Sequence, residues 1–202
     1  MDGEECPLAA AKLDPVDVLP FLRERLKRTA PRDLPPHQHR RAAVLVPVFE
    51  AHGMPYLLLT KRTEAVEHHK GQISFPGGGE EPGDRDLLAT ALREAYEELG
   101  LSPASVEVWG RLDEIETVVS GFAITPFVGV IPSPVDLRPN PNEIEEIVTV
   151  PLATFRDPAN LRVERVTRGG QSWELLHYDC GTHVVWGATA RIIHDLVSLL
   201  GG

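Results

Sequence analysis

The stretch FPGGGEEPGDRDLLATALREAYEELGL, residues 75–101, joins a glycine-rich turn to a segment with three crowded glutamates. Residues 86–99 contain no proline or glycine, which predicts a helix there. Asp84 or Asp86 is suited to cap its start, because a short side-chain oxygen accepts from free backbone N–H groups. Gly100 is suited to end the helix in a left-handed conformation.

The predicted helix has one apolar and one acidic side. The residues predicted to pack against the protein are Leu88, Leu92, Ala95, Tyr96 and Leu99. On the other side, Glu94, Glu97 and Glu98 group within about 100° of helix rotation. Their repulsion costs only about 0.2 to 0.5 kcal/mol per pair on an exposed helix, so a solvated surface is the plain alternative. A divalent cation bound among the three carboxylates would attract each of them and offset their repulsion. The spacing therefore suggests a metal site.

The glycine-rich turn precedes this helix directly. The sequence FPGGG, residues 75–79, offers backbone without side chains at the helix entry, where free N–H groups attract anions. A glycine turn alone is weak support for a site, but beside a metal-binding helix it predicts a phosphate pocket.

The remaining chain alternates irregularly between strand and helix patterns, which favours an α/β (α+β) fold with a mixed β-sheet covered by helices. Gly53 marks a predicted turn between two strands. The predicted segments are an N-terminal helix from residue 16, a proline-rich linker, strands at 41–50 and 55–62, further strands within 106–131, a hairpin at 174–187 and a helix at 188–200. We therefore divide the chain into an N-terminal tail, helix and linker (1–39) and a main domain with a C-terminal helix (40–202). The terminal helices could pack on this domain or on a second copy, which leaves a homodimer open.

Composition limits the class of partner. Hydrophobic residues make up 42% of the chain and charged residues 25%, as in folded globular proteins. The net charge of −10 argues against broad nucleic-acid binding, which needs a basic surface. No apolar run reaches the roughly 18 to 20 residues that span a bilayer. Cys6 and Cys180 lack zinc-site spacing and predict free thiols, so we expect a cytoplasmic protein that does not bind membranes.

Residues 93–101, REAYEELGL, closely resemble the second half of the signature of the Nudix hydrolases. The first half aligns in two ways: Gly79 with Arg85 in the acidic slot, or, with one inserted residue, Gly78 with Asp84. The resemblance implies an α/β/α sandwich and metal-dependent hydrolysis of a nucleoside diphosphate linked to another moiety, with Mg²⁺ or Mn²⁺ as cofactor.

With this inserted residue, the signature is similar to that of a narrower group within the family, the coenzyme A diphosphatases. A second pattern of that group is matched by LLTKRT at 58–63, by Gly71 and by FPGG at 75–78. The sequence departs from it at Glu67, where the group has arginine; His68, His69 or Lys70 could supply a cation instead. The resemblance implies cleavage of coenzyme A or acyl-CoA to 3′,5′-ADP and 4′-phosphopantetheine. The alternatives are another substrate, such as ADP-ribose or a dinucleotide polyphosphate, and a non-catalytic Nudix-fold binding module.

The motif positions define the predicted site. The catalytic candidates are Arg93, which is placed to orient Glu97, and Glu94, Glu97 and Glu98, which are also the predicted metal ligands. The predicted substrate-binding residues are Arg62, Gly71, Gly77 and Gly78. The general base is one of the three glutamates or an outside acid, for which the candidates are Glu143, Glu145 and Glu146. We interpret Trp109, Trp173 and Trp186 as core or interface residues rather than base-stacking platforms.

Overall fold

The computed structural model describes residues 14–35, 40–63, 71–117, 121–168 and 170–201. The helices in these ranges are α1 (Pro15–Arg28), α2 (Leu87–Leu99), α3 (Leu152–Arg156) and α4 (Gly187–Ser198). The strands are β1 (Arg40–Ala51), β2 (Met54–Arg62), β3 (Ile73–Ser74), β4 (Gly77–Gly79), β5 (Glu107–Arg111), β6 (Ile115–Glu116), β7 (Phe122–Val130), β8 (Ile144–Pro151), β9 (Leu161–Arg168), β10 (Gln171–Cys180) and β11 (His183–Trp186).

Eight of these strands form one mixed sheet, with the central order β3-β2-β1-β7-β5. Strands β1 and β7 are parallel, whereas the other pairings in this sheet are antiparallel. Strand β4 also pairs with β1, β6 with β7, and β8 with β2. Strands β9 to β11 form a second, antiparallel sheet. The predicted mixed sheet is confirmed.

Helices cover both faces of the main sheet. On one face, Ala91, Ala95 and Leu99 of α2 are buried against Ala43 and Leu45 of β1. On the other face, buried side chains of α1, α3 and α4 share one larger cluster with the strands. Burial of apolar surface between these layers supplies most of the stabilisation that such a fold needs. The molecule is an α/β/α sandwich, as predicted.

Both terminal helices pack on the domain itself. Val18, Leu22 and Leu26 of α1 are buried in the same cluster as Ile193 and Leu196 of α4. The spacing of three and four residues places each set on one helix face, which explains the burial. Both helices therefore pack on their own chain, and the homodimer stays a prediction.

The predicted hairpins lie where the turn residues place them. Strands β1 and β2 are joined by His52 and Gly53, with φ values of 52° and 71°. Two consecutive residues with positive φ match the right-handed twist of the flanking strands, and glycine takes this conformation without strain. Strands β10 and β11 turn at Gly181 and Thr182. The first hairpin fixes β2, whose last residue, Arg62, reaches the candidate site.

Candidate active site

Helix α2 carries the candidate site and has the predicted ends. The Ala89 N–H donates to Asp86 Oδ1 at 2.8 Å, and Gly100 ends the helix with φ of 67°. The predicted packing stripe is wrong at Tyr96, whose exposed fraction is 58%. The sheet packs against the small side chains of Ala91 and Ala95, which rotates Tyr96 outward and brings Glu98 to the edge of the buried face.

The three glutamates of α2 differ in exposure. Glu98 is 2% exposed, Glu94 is largely buried, and the side chain of Glu97 is 53% exposed. Burial of an ionised carboxylate is unfavourable unless a partner compensates for the lost water. A uniformly solvated acidic face would not show this gradient, so the plain surface interpretation does not describe α2.

Glu98 is paired with Arg62, which lies 36 positions earlier in the chain. Arg62 Nη1 donates to Glu98 Oε1 at 3.0 Å. Glu98 Oε2 and Arg62 Nε are also buried, and neither has a hydrogen-bond partner among the described residues. Burial raises the pKa of Glu98 to about 7, although the Arg62 charge opposes the shift. One buried oxygen of Glu98 therefore remains available to a further ligand.

Arg93 ties the other two glutamates to the glycine-rich turn. Its Nε and Nη2 groups donate to the two carboxylate oxygens of Asp84 at 3.0 Å each, and Nη2 also donates to the Gly79 carbonyl at 3.1 Å. Its Nη1 group donates to Glu94 Oε1 at 2.9 Å and to Glu97 Oε2 at 3.0 Å. Arg93 is thus placed to orient Glu97, as expected from their spacing, and it orients Glu94 as well.

Asp84 is the acid that anchors this arginine. It also accepts from the Thr90 hydroxyl at 2.9 Å and from the Glu81 N–H at 3.0 Å. The hydrogen bond with Arg93 holds the pKa of Asp84 well below its ordinary value. Arg85, in contrast, is exposed and pairs with Asp86. Of the two alignments of the signature, the structure favours the one that uses Gly78 and Asp84.

Two glycines of β4 are required for different reasons. Strand β4 pairs with β1, and a Cβ atom at Gly77 would overlap the Ala43 carbonyl oxygen and the Val44 backbone. A Cβ atom at Gly78 would instead overlap the carboxylate of Glu94. Gly77 therefore permits the strand pairing, whereas Gly78 makes room for a candidate catalytic side chain. Gly71 lies in the turn before β3, with φ of 63°.

Of the three outside acids proposed from the sequence, Glu143 is the one directed toward the site. Its carboxylate oxygen Oε2 lies 3.8 Å from Arg62 Nη2. Burial raises the pKa of Glu94, and the charges of Glu97 and Glu143 add to the shift while Arg93 opposes it. Glu145 binds Lys61 at 2.7 Å and Glu146 contacts His183 at 3.3 Å, so both are directed elsewhere.

The described part of the chain contains no ready-made cluster of three His, Cys, Asp or Glu side chains in metal-binding geometry. Arg93 and Arg62 hold the carboxylate oxygens instead. The donor set nevertheless suits Mg²⁺ or Mn²⁺, which take carboxylate oxygens together with waters and phosphates. Glu98 Oε2 is the buried, unpartnered oxygen that such a cation would satisfy. The residues fit a divalent cation that completes its shell from solvent and substrate.

A cavity of about 510 Å³ adjoins this cluster, within the range of small-molecule sites. Arg62, Ser74 and the glycines of β4 line one part of it, and residues of β1, β6, β7, β10, β11 and α4 contribute to the rest. Trp173 and Trp186 belong to this lining, which corrects our interpretation of both as core or interface residues. The sequence offered no signal for this, because β10 and α4 reach the glycine turn only through the fold. Gly71 is absent from the described lining, and residues 67–70 lie outside the described ranges.

The buried state of Glu98 predicts a pH-dependent stability. In the folded protein its pKa is about 7, above the 4.5 of an ordinary glutamate, so the folded protein binds this proton more tightly. The resulting stabilisation is complete below the unfolded pKa and is lost as pH rises through about 7. Glu98→Gln, which stays neutral, should raise the melting temperature by a few degrees at pH 8 and leave it unchanged at pH 4. Calorimetry in EDTA from pH 4 to 8 measures this; a pH-independent difference would contradict it.

None of the helices in the described ranges is both long and apolar enough to cross a membrane.

Comparison with known proteins places the site in a family context. A family model described as NUDIX domain matches residues 39–168. The chain is 39% identical over 158 residues to the uncharacterized Nudix hydrolase NudL of Photorhabdus laumondii, covering 78% of this chain and 83% of that protein. It is 41% identical over 168 residues to the protein of the same name from Pectobacterium atrosepticum, covering 80% and 83%.

Solved structures agree on the fold. The crystal structure of a Nudix hydrolase from Alicyclobacillus acidocaldarius matches with a TM-score of 0.55 and 17% identity, over 82% of this chain and 92% of that one. A MutT/nudix family protein from Enterococcus faecalis matches with a TM-score of 0.51 and 13% identity, over 95% and 73%.

Proposed function

This chain belongs to the Nudix hydrolase family, and on that premise we propose that it hydrolyses coenzyme A or an acyl-CoA, releasing 3′,5′-ADP and the 4′-phosphopantetheine part. The proposal rests mainly on one contact between two side chains. Arg62 belongs to the upstream pattern typical of coenzyme A diphosphatases, Glu98 belongs to the Nudix signature, and the two side chains meet at 3.0 Å. The two motifs, separate in sequence, thus contribute to one site.

Each residue of the site has a distinct part in the proposed reaction. Glu94 and Glu98, with the more exposed Glu97, would hold the divalent cation. A bound Mg²⁺ or Mn²⁺ would neutralise diphosphate oxygens and lower the pKa of a water molecule. Arg93, fixed by Asp84, positions Glu94 and Glu97 relative to the glycine turn. A preorganised carboxylate set needs little rearrangement at the moment of reaction, which is a main source of enzymatic rate.

Arg62 and the glycine turn are the proposed phosphate contacts. Arg62 lines the cavity and lies at the boundary between it and the carboxylates. A guanidinium pairs well with phosphate oxygens because its N–H groups form a planar fork. Gly77 and Gly78 line the same cavity and let a diphosphate approach the backbone closely.

We assign the role of general base to Glu143. It lies next to Arg62, and its charge contributes to the raised pKa of both Glu94 and Glu98. A carboxylate at this position can accept a proton from an attacking water while the α2 glutamates hold the cation. The Asn140 amide donates to Glu143 Oε1 at 3.0 Å, and the other oxygen, Oε2, faces Arg62. Glu145 and Glu146 instead contact Lys61 and His183, away from Arg62.

The second candidate is the same hydrolysis on another substrate, such as ADP-ribose or a dinucleotide polyphosphate. Glu67 favours it, because this position carries arginine in the coenzyme A group and a glutamate would repel a substrate phosphate. The non-catalytic alternative has no such support, since the chain retains all three signature glutamates.

A substrate panel tests the choice. Purified protein with Mg²⁺ or Mn²⁺ should convert coenzyme A to 3′,5′-ADP, separated by chromatography, with higher kcat/KM than for ADP-ribose or diadenosine tetraphosphate. Glu67→Arg should increase kcat/KM for coenzyme A by about tenfold, which corresponds to about 1.4 kcal/mol of restored phosphate attraction. Turnover of ADP-ribose or the dinucleotide without turnover of coenzyme A or its thioesters would refute the first candidate.

A further inference from the structure

The part of the 510 Å³ cavity formed by β10, the end of β11 and α4 has an aromatic and aliphatic surface. Trp186 immediately precedes α4 and remains 43% exposed despite its apolar indole ring. Its ring stacks on His177 with 6.5 Å between centroids and 18° between planes. Trp173, Leu175 and Ile192 line the same part of the cavity. A large apolar side chain held at a cavity surface by a stacking partner is a preformed contact for an apolar ligand.

The charges around the cavity do not favour a phosphate here. The charged residues that β10 and α4 contribute to the described lining are Glu174 and Arg191. Arg191 is engaged with the two oxygens of Asp195 at 3.0 and 3.1 Å. Arg62, the proposed phosphate contact, lies in the other part of the lining, with the glycine turn. A group that carries its own phosphate therefore gains no surplus positive charge from the part formed by β10 and α4.

From these observations we infer that the apolar part of the cavity binds the uncharged end of the substrate, an aliphatic acyl thioester arm. The inference rests on the proposed function and adds to it a preference for acylated over free coenzyme A. With the diphosphate at Arg62 and the glycine turn, the 3′-phosphorylated nucleoside is directed away from this lining. Trp186 is then a specificity-determining residue, since its ring contributes apolar surface that only an acyl chain uses.

Hydrolysis of coenzyme A, acetyl-CoA, butyryl-CoA, hexanoyl-CoA and octanoyl-CoA tests the inference. A fully buried methylene is worth a factor of about four, and a partly exposed cavity gives less. We expect kcat/KM to rise by about tenfold or more from acetyl to octanoyl. Trp186→Ala should reduce that rise to about threefold or less, a flattening of the chain-length profile that a uniform loss of activity on all five substrates would not give.

Val184→Ala is the matched control. Val184 lies two residues earlier on the same strand, is exposed, and is outside the cavity lining. It should keep the wild-type chain-length profile. Thermal unfolding by circular dichroism verifies that both variants are folded.

The outcomes separate the inference from the proposed function. If free coenzyme A is cleaved but Trp186→Ala keeps the wild-type chain-length profile, the inference is wrong and the proposed function stands. If no coenzyme A species is cleaved, the proposed function fails, and binding of S-octanoyl-N-acetylcysteamine, measured by isothermal titration calorimetry, decides the inference. Saturable binding that is weakened in Trp186→Ala supports the apolar site, whereas no binding to the wild type, or equal binding to Trp186→Ala, overturns it.

Discussion

Glu98→Gln is expected to reduce kcat/KM for nucleoside diphosphate hydrolysis by about a thousandfold or more. The substitution keeps the shape of the side chain but removes the charge that would hold the divalent cation, and loss of that electrostatic stabilisation costs several kcal/mol of activation free energy. Glu98 is buried and its Oε2 has no hydrogen-bond partner among the described residues, so this is the oxygen that the substitution takes from the cation. Steady-state rates of product release with saturating Mg²⁺ measure the effect.

Glu94→Gln should show a similar loss, whereas Glu145→Gln provides the matched control. Glu145 is exposed and paired with Lys61, so the same chemical change there should leave kcat/KM within about twofold of the wild type. Unchanged activity in both α2 variants on every diphosphate tested would show that α2 has no catalytic role.

Gly78→Ala is the second large effect that we expect, with a loss of activity of about a hundredfold and little loss of stability. The added methyl group would overlap the Glu94 carboxylate, which is the flexible end of a side chain and can move aside. Movement of this carboxylate by about an ångström is enough to misplace a catalytic group. Steady-state kinetics and thermal unfolding of the same preparation measure the two quantities.

Gly77→Ala should instead act on stability. Its methyl group would overlap the Ala43 carbonyl and the Val44 backbone, which cannot move without breaking the pairing between β1 and β4. We expect a destabilisation of about 2 kcal/mol or more, seen as a lower melting temperature. If Gly78→Ala were fully active, the close approach between the glycine turn and Glu94 would have no catalytic importance.

Local features of the fold were predictable because their causes are local. Asp86 and Gly100 set the ends of α2 through contacts within a few residues. Gly53 set the first hairpin in the same way, through a backbone conformation that needs no distant partner. The metal-binding character of α2 was suggested by spacing alone, since residues three and four apart share a helix face.

Features that depend on the packing partner were not predictable. Spacing groups Glu94, Glu97 and Glu98 on one side of the helix, but it does not show that the sheet buries Glu98 and leaves Glu97 exposed. The contact between Arg62 and Glu98 joins residues far apart in the chain, and no periodicity encodes it. The same holds for Glu143, which could be distinguished from its neighbours only by the direction of its side chain.

The central claim, that the α2 carboxylates hold a divalent cation, is tested most directly by Mn²⁺ binding followed by electron paramagnetic resonance in the absence of substrate. We predict saturable binding to the wild type and to Glu145→Gln, with affinity lower by about tenfold or more in Glu94→Gln and Glu98→Gln. Equal Mn²⁺ affinity in all four proteins would contradict the claim.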